Sequence, residues 1–303
     1  MVHEVIRNLI TAPDGIYVDG TVGIGGHSEA IGDRISGNGR LLCMDRDSEA
    51  LRLSKERLRY MGGSVTFIKA NFADIGDILK NLSIEKVHGI LLDLGMSSYQ
   101  LDHSGRGFSF NKNEPLDMRM DLDDETDARQ IINSLSVGEM ERLFKDYGEE
   151  KKAGLISRRI GRERLKGQIE TSLQLANLIR STIPRSHRPG AKDPATRTFQ
   201  ALRIAVNKEL ENLKLFLNRV PPLVKKGGRL VVITYHSLED RMVKQAIKDW
   251  VKGCTCPPDL PQCVCGKEPL FRRISRKGIK PGVGEIQDNP RARSAVLRAA
   301  ERI

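Results

Sequence analysis

A chain of 303 residues is long enough to bury a large core, either as one large domain or as two smaller ones. Its 39% hydrophobic and 29% charged residues are typical of a soluble globular protein, and the absence of any long apolar run excludes a membrane span. The net charge of +11 is uneven, with −9 over residues 1–150 and +20 over residues 151–303. This asymmetry favours a polyanionic partner such as RNA or DNA.

The amino-terminal residues lack the basic-then-apolar layout of a signal peptide, so we expect a cytoplasmic protein. The first predicted strand, Ile16–Asp19, ends at an acid and runs into a glycine-rich turn that leads to a helix. The glycines of this turn are Gly20, Gly23, Gly25 and Gly26. Glycines let the backbone pass close to a ligand, and a helix start offers free N–H groups, so this pattern predicts a nucleotide-like ligand.

The spacing of the glycines bears on which ligand is bound. The dinucleotide fingerprint G-x-G-x-x-G, started at Gly23, would need a glycine at the position that Ser28 occupies. An acid followed by glycines in this order is closer to proteins that bind S-adenosylmethionine (SAM) than to dehydrogenases. We therefore predict SAM, with NAD as the alternative cofactor.

The next three predicted strands end in residues suited to the same ligand. The second, Arg40–Asp45, ends in an acid that can accept hydrogen bonds from both ribose hydroxyls of an adenosine. The third, at residues 65–70, is followed by Phe72, whose ring either covers an adenine face or belongs to the core. The fourth, Val87–Asp93, places another acid at the same edge of the sheet. Acids at the ends of three parallel strands predict one binding crevice.

Strands that alternate with helices predict an α/β fold with a doubly wound, Rossmann-like sheet. A fifth strand is predicted at residues 229–234, too far from Asp93 for a simple crossover, and a last one at residues 294–300. The intervening segment looks wholly helical and includes one long helix at residues 196–220. The predicted domains are a discontinuous α/β domain and an inserted all-helical domain, at residues 1–108 with 209–303 and at residues 109–208.

Two features of the second half of the chain have more than one interpretation. The cysteines Cys254, Cys256, Cys263 and Cys265 form a C-x-C…C-x-C pattern that can hold zinc tetrahedrally, although C-x-C is less usual than C-x-x-C. A structural zinc knuckle stays open, a catalytic metal is not indicated, and a reducing cytoplasm disfavours disulfides. Two basic clusters either follow phosphates or form solvated surface: Arg185, His187, Arg188, Lys192, Arg197 and Arg203, and Arg272, Arg273, Arg276, Lys277 and Lys280.

Long motifs, in order along nearly the whole chain, resemble those of the RsmH (MraW) family of bacterial ribosomal RNA methyltransferases. They include Gly25-Gly26-His27-Ser28, Asp45-Arg46-Asp47, Arg106-Gly107-Phe108-Ser109-Phe110, His236-Ser237-Leu238-Glu239-Asp240-Arg241 and Asn289-Pro290-Arg291-Ala292-Arg293-Ser294. The resemblance implies SAM-dependent methylation of N4 of a cytidine in 16S rRNA, in the decoding region of the small ribosomal subunit. It also implies that the inserted helices recognise the substrate, and it allows a homodimer.

The resemblance further implies a set of SAM-binding residues: Gly25, Gly26, His27, Asp45, Phe72, Asp93 and Gln100. The residues themselves point to all of these except Gln100. One departure concerns the amino terminus, where the family usually has a longer lead with a His-x-Pro-Val-Leu segment. The chain begins with Met1-Val2-His3 instead, and whether part of the amino-terminal edge is missing is left undecided by the sequence.

The catalytic group is the least defined part of the prediction. The cytosine amine is a poor nucleophile, so an acceptor placed on an N4 hydrogen would help it attack the methyl group. Asp93 is the catalytic candidate, because it can polarise the amine, but the favoured interpretation from the sequence is that it holds the cofactor. His236, after the fifth strand, is the alternative polar group, with a satisfied loop histidine as its plainer interpretation.

Two rival functions remain at the level of sequence. One is an NAD-linked oxidoreductase, against which Ser28 counts. The other is a non-catalytic assembly factor that binds the ribosome without transferring a methyl group. The basic second half suits both an RNA-modifying enzyme and such a factor.

Overall fold

The computed structural model describes residues 1–183, 193–254, 256–257, 259–262 and 264–303. Four members of the first predicted basic cluster and one cysteine lie outside the described residues: Arg185, His187, Arg188, Lys192 and Cys263. The chain divides into two compact units, Met1–Gly95 with Leu210–Ile303 (unit 1) and Met96–Glu209 (unit 2). No helix in the described part of the chain has the length and apolar character needed to cross a membrane.

Seven strands and thirteen α-helices are formed by the described residues. The strands are β1 (Ile16–Asp19), β2 (Arg40–Asp45), β3 (Val65–Lys69), β4 (Val87–Asp93), β5 (Val224–Thr234), β6 (Phe271–Arg273) and β7 (Val296–Arg302). The helices are α1 (Val2–Leu9), α2 (Gly26–Gly32), α3 (Ser48–Arg57), α4 (Ile75–Asn81), α5 (Ser98–Asp102), α6 (Ala128–Ser134), α7 (Val137–Gly148), α8 (Ala153–Glu163), α9 (Ser172–Thr182), α10 (Thr196–Asn207), α11 (Glu209–Arg219), α12 (Ser237–Lys252) and α13 (Val283–Asp288).

All seven strands form one sheet in unit 1, in the order β3-β2-β1-β4-β5-β7-β6. β1 to β5 pair in parallel, and β7 pairs antiparallel with both β5 and β6. The strand order reverses between β1 and β4, and this switch point is where doubly wound sheets bind ligands, outside the carboxyl ends of their strands. The predicted α/β class and Rossmann-like sheet are confirmed.

Unit 1 has hydrophobic core on both faces of this sheet, which explains why its strands show no polar alternation. Successive residues of one strand point to opposite faces, so Val18 and Leu92 belong to one buried cluster while Tyr17 and Leu91 belong to the other. The edge of the sheet formed by the strand ends is thereby left as the place for polar side chains.

Unit 2 is helical and has a separate core built mainly from α6 to α10. Asn207 is fully buried there, accepting a hydrogen bond from the Met120 backbone N–H and donating to the Met118 carbonyl. The helical insertion predicted at residues 109–208 falls within this unit. Its role in substrate recognition stays a prediction.

Two local expectations from the sequence were wrong, and one strand was missed. The predicted helix at residues 196–220 is two helices, because Lys208 adopts φ 50°, outside the right-handed helical region. β5 begins at Val224 rather than at residue 229, and its pairing with β4 is irregular near Val87. The three-residue strand Phe271–Arg273 was not predicted, since its two arginines are typical of solvated surface.

Candidate cofactor site

The carboxylate that ends β1 is held deep inside unit 1. Asp19 is 1% exposed and accepts hydrogen bonds from the Ser28 hydroxyl (2.7 Å) and the Thr21 backbone N–H (3.1 Å). Burial raises the pKa of Asp19, and the Ser28 hydrogen bond opposes that rise. Ser28 therefore has a structural task at the position where the dinucleotide fingerprint has glycine. Asp19 therefore stabilises the glycine-rich turn and the start of the following helix, and it is too buried to accept a hydrogen bond from a ligand.

The glycine-rich turn leads from β1 into α2. Gly25 is the residue before the helix and adopts φ 85°, a conformation that L side chains rarely take. A Cβ added at Gly26, the first helical residue, would meet no atom closer than 3.9 Å. The turn thus needs glycine at position 25 for its backbone, and it leaves open space over position 26.

Asp45, at the end of β2, is fixed to this same turn. Its Oδ2 accepts a hydrogen bond from the Gly23 N–H, and its Oδ1 accepts one from the Asp47 N–H, both at 2.9 Å. Burial raises the pKa of Asp45 to about 6, even though these two N–H groups favour the ionised form. Each carboxylate oxygen has a second lone pair, so Asp45 can still accept hydrogen bonds from a ligand.

Asp93, at the end of β4, lies between two polar side chains. The Tyr235 hydroxyl donates to its Oδ1 (2.9 Å), and His27 Nε2 lies 3.4 Å from its Oδ2. The Asp93 backbone N–H donates to the Thr21 hydroxyl, which ties β4 to the turn after β1. The Asp93 side chain is 26% exposed, so it can accept a further donor.

The charges around Asp93 shift the titration of its neighbours. Burial opposes a charged His27 ring, but the Asp93 hydrogen bond and the Asp93 and Asp19 charges outweigh it, so the pKa of His27 is raised. Burial, reinforced by Asp93, raises the pKa of Tyr235 above its usual range, and Tyr235 stays a proton donor. His27 Nδ1 is buried and has no hydrogen-bond partner among the described residues.

Phe72 lies at the end of β3, in a short 3-10 helix, Phe72–Asp74, that Asn71 caps. Its ring packs edge-on against Phe216, with ring centroids 5.7 Å apart. A Cβ added at Gly20 would come within 3.2 Å of the Phe72 Cβ, which places this aromatic residue beside the turn after β1. Both interpretations of Phe72 are therefore compatible with its position, because its ring contacts a core ring and the residue is only half-buried.

The structure brings six of the seven predicted cofactor residues to one edge of the unit 1 sheet: Gly25, Gly26, His27, Asp45, Phe72 and Asp93. Gln100 belongs to unit 2, where it is buried. Its side-chain oxygen accepts from the Ser97 N–H (2.9 Å), and its own N–H donates to the Ser97 hydroxyl, forming a capping box at the start of α5.

The two residues that directly follow β5, Tyr235 and His236, have different roles. His236, the alternative polar group, accepts from the Glu239 N–H as the N-cap of α12, and its side chain is only 7% exposed. The Nδ1 cap agrees with the interpretation as a loop histidine, but the buried Nε2, 3.1 Å from Glu239 Oε1, makes no hydrogen bond within the described part of the chain. Tyr235 was missed as a partner of Asp93. The strand pattern places Tyr235 directly after β5 and Asp93 at the end of β4, the neighbouring parallel strand, but it does not predict the side-chain contact.

Comparisons with known proteins identify the family of the chain. The model of the MraW methylase family matches residues 1–303. The chain belongs to the MraW methylase family. Two relatives, from Desulfosudis oleivorans and Syntrophotalea carbinolica, are each named ribosomal RNA small subunit methyltransferase H. Both relatives are 48% identical to the chain. The match to the Desulfosudis protein covers 95% of the chain and 93% of that relative. The match to the Syntrophotalea protein covers 100% of the chain and 96% of that relative.

Among solved structures, an rRNA methylase from Streptococcus thermophilus is similar over 100% of the chain and 93% of its own length. It has a TM-score of 0.44 and 10% sequence identity. The resemblance to the RsmH (MraW) family stated from the motifs is confirmed by the family match.

Proposed function

We propose that this chain transfers a methyl group from SAM to N4 of a cytidine in 16S rRNA, in the decoding region of the small ribosomal subunit. The observation that carries the proposal is the carboxylate-lined edge at the switch point of the sheet, in a chain that matches a methylase family over its whole length. The relatives' names supply the substrate class, small-subunit rRNA. The N4 position and the cytidine come from the resemblance of the motifs.

The residues at this edge fit an adenosine-containing cofactor. The carboxylate of Asp45 is oriented by two backbone N–H groups and keeps lone pairs for ribose hydroxyls. The backbone at Gly25 and Gly26 carries no side chain that would exclude a ligand. The buried Nδ1 of His27 needs a partner that the described residues do not provide, and a ligand can supply one. Gln100 is proposed as a further cofactor contact on the resemblance alone.

SAM, when bound, supplies a methyl group made electrophilic by its sulfonium. Asp93 is proposed to accept a hydrogen bond from an N4 hydrogen, which concentrates the nitrogen lone pair for attack on the methyl carbon. Asp93 would accept the proton that N4 loses when it takes the methyl group. Tyr235 and His27 hold the Asp93 carboxylate in place through its two oxygens.

Basic surface in unit 1 supports a polyanionic substrate. Six cationic side chains line a groove of about 250 Å³ between α12 and the strands β6 and β7: Arg241, Lys244, Lys248, Arg273, Arg276 and Arg298. Arg298 is paired with Asp240. Lys244, Lys248, Arg273 and Arg276 are exposed and make no ion pair with any described residue, which suits phosphates that arrive with an RNA.

Unit 2 has a basic surface of its own, and we propose that this unit recognises the substrate. Arg158, Arg159 and Arg162 are exposed on α8 and line a groove of about 370 Å³ with Ser181 and Thr182 of α9. Arg159 is paired with Glu163 at 3.5 Å. The two hydroxyls donate to the Leu178 carbonyl, so the guanidinium groups are the donors that this groove offers to RNA phosphates.

The test is methyl transfer from methyl-labelled SAM to purified small subunits, with naked 16S rRNA and large subunits as comparison substrates. Nuclease mapping followed by mass spectrometry of the nucleosides locates and identifies the product. N4-methylcytidine at one site in small subunits is the expected result. Label on another position of cytidine would overturn the N4 assignment, and label only on protein or DNA would overturn the rRNA assignment.

The two rival functions make different predictions in the same experiment. An NAD-linked oxidoreductase would bind NADH tightly and SAM not at all. An assembly factor would bind small subunits equally well as wild type and as Asp45→Ala, with no transfer by either. The proposed methyltransferase is expected to bind SAM, to transfer methyl, and to lose transfer in Asp45→Ala.

A further inference from the structure

The segment between α12 and β6 has almost nothing of its own to hold it in one shape. No described residue from 253 to 269 is buried, and none lies in a helix or strand. The apolar side chains Leu260 and Val264 are 40% and 80% exposed. A loop that buries so little apolar area gains little stability from a hydrophobic core, and a crosslink or a bound metal is one way to order it.

The two ends of this segment are nevertheless brought together. The Leu270 N–H donates to the Trp250 carbonyl at 2.7 Å, which joins the last turn of α12 to the residue before β6. Gly253 ends α12 with φ 61°, and a Cβ there would come within 2.5 Å of the Pro269 nitrogen. The segment is therefore a loop that leaves and returns at one point, with its cysteines near the two ends.

Three thiols meet in this loop. The Sγ atoms of Cys254, Cys256 and Cys265 all lie within 4.8 Å of one another, and those of Cys254 and Cys265 are 3.7 Å apart. A disulfide bond would require about 2.05 Å. Two sulfurs that share a tetrahedral zinc ion at about 2.3 Å each are about 3.8 Å apart. The observed separation, at which the Cys265 thiol donates a hydrogen bond to the Cys254 sulfur, is close to that expected for two ligands of one ion.

We propose that Cys254, Cys256 and Cys265 bind a structural zinc ion that holds the loop between α12 and β6. Zinc is favoured over magnesium or calcium because thiolates are soft ligands, whereas those ions take oxygen. The remaining cysteine of the sequence pattern, Cys263, lies outside the described residues. The zinc ion has no part in methyl transfer, so this proposal stands or falls separately from the proposed function.

The site has a consequence for the neighbouring basic groove. α12 carries Lys244 and Lys248, and β6 carries Arg273, so the loop joins the two elements that line the groove. An unfolded loop rarely presents a preformed metal site, so the loop must become ordered when zinc binds. The free energy of zinc binding would offset the entropy lost in that ordering. Removal of the ion is expected to loosen the loop and leave the sheet folded.

The first experiment measures metal content of the full chain purified without chelator. About one zinc per chain is expected by elemental analysis, with loss in Cys254→Ser, Cys256→Ser and Cys265→Ser. Cys43→Ala is the matched control, since Cys43 is buried in β2 and far along the chain from the loop, and it should retain the metal. Retention of zinc in all three serine variants, or equal loss in the control, would overturn the assignment.

A second measurement does not depend on variants that fold. Wild-type chain stripped with a chelator and titrated with cobalt should develop the thiolate-to-cobalt charge-transfer bands and intense visible bands of a tetrahedral site. Trypsin should cut at Lys267 faster in the stripped chain than in the zinc-loaded chain, with reversal on adding zinc. No cobalt–thiolate spectrum, iron–sulfur absorption in the purified chain, or a disulfide between Cys254 and Cys265 would each overturn the proposal.

Discussion

The acidic sheet edge and the basic groove of unit 1 hold their charges in opposite ways. Asp45 and Asp93, which keep oxygen lone pairs for a ligand, each receive hydrogen bonds from their own unit before any ligand arrives. Lys244, Lys248 and Arg276 extend from the surface without an ionic partner in the described part of the chain. Fixed acceptors suit a small ligand that must be placed to a fraction of an ångström. Mobile cations suit a backbone of repeated phosphates whose exact position matters less.

This contrast predicts that changes at the edge alter cofactor binding and chemistry, and that changes in the groove alter salt-dependent RNA affinity. The largest effect is expected at Asp93. Asp93→Asn should lower kcat by about 10²- to 10⁴-fold, because the amide cannot accept the N4 proton. Single-turnover methyl transfer with saturating SAM and small subunits measures it.

The control for Asp93 separates its two roles. If Asp93 acts on the amine, SAM affinity measured by calorimetry should change by less than about tenfold in Asp93→Asn. A matched loss of SAM affinity with unchanged kcat would assign Asp93 to the cofactor alone and would remove the proton-accepting role from the proposal. Tyr235→Phe should show the same pattern as Asp93→Asn, with a smaller decrease in kcat.

The next largest effect is expected at Asp45. Asp45→Asn should weaken SAM binding about 10- to 100-fold, since hydrogen bonds to a charged acceptor contribute about 1.5 to 3 kcal/mol. Calorimetric titration with SAM measures it. Asp14→Asn, an exposed carboxylate of the same unit, is the matched control and should bind as wild type. Equal affinities for all three proteins would exclude Asp45 from the cofactor site.

The groove should give a smaller effect of a different kind. Replacing Lys244, Lys248 and Arg276 with alanine should make the plot of log affinity against log salt concentration less steep by about 2 to 3, at about 0.7 to 0.9 for each lost phosphate contact. Filter binding of 16S rRNA over a salt series measures this slope. SAM affinity should not change.

The control for the groove removes the same positive charge elsewhere on unit 1. Lys80, Lys86 and Lys214 are exposed, and their triple alanine variant has the same net charge as the groove variant. Its salt dependence should stay close to that of wild type. If both triple variants lower the slope equally, the effect comes from net charge, and the groove is not an RNA-binding surface.

Sequence reasoning was most successful where one local rule governed the structure. β1, β2 and β4 have their predicted bounds, because buried parallel strands are continuous apolar runs that end at a polar residue. The break at Lys208 could not be predicted in this way. Residues on both sides of it favour a helix, so nothing local marks the left-handed conformation that tertiary packing imposes.

In the candidate site, too, residues fixed by a local rule were predicted and contacts that depend on tertiary packing were not. Asp45 and Asp93 were found because each closes a strand, and strand ends of a parallel sheet meet at one edge. The hydrogen bond from Ser28 to Asp19 and the one from Tyr235 to Asp93 were not found, since they join residues 9 and 142 positions apart through their side chains. Backbone position can be read from a strand pattern, whereas such pairings depend on packing of the folded chain.

The smallest expected effect is a pH dependence of SAM binding, caused by the raised pKa of Asp45. That carboxyl is ionised above pH about 6 and becomes protonated below it, which removes a charged acceptor for the ribose hydroxyls. SAM affinity should therefore fall as the pH drops from 7 to 5. Asp45→Asn should lack this component. A pH dependence of SAM affinity that persists in this variant is assigned to His27, the residue beside Asp93 whose pKa is also raised.

As the pH falls, the contribution of Asp45 to folding stability should change in the opposite direction to its contribution to SAM affinity. This difference distinguishes a loss of binding from a loss of structure. The pKa of Asp45 in the folded chain lies above its unfolded value of about 4, so folding favours the protonated carboxyl. Its contribution to the free energy of unfolding is therefore fully present below pH about 4 and is lost as the pH rises through 6. Between pH 7 and pH 5 the contribution of Asp45 to stability should rise while its contribution to SAM affinity falls. Urea unfolding of wild type and Asp45→Asn across this range measures the first, and parallel SAM titrations measure the second. A decrease of both contributions together would show that the buried carboxylate is stabilised as an anion, contrary to its raised pKa.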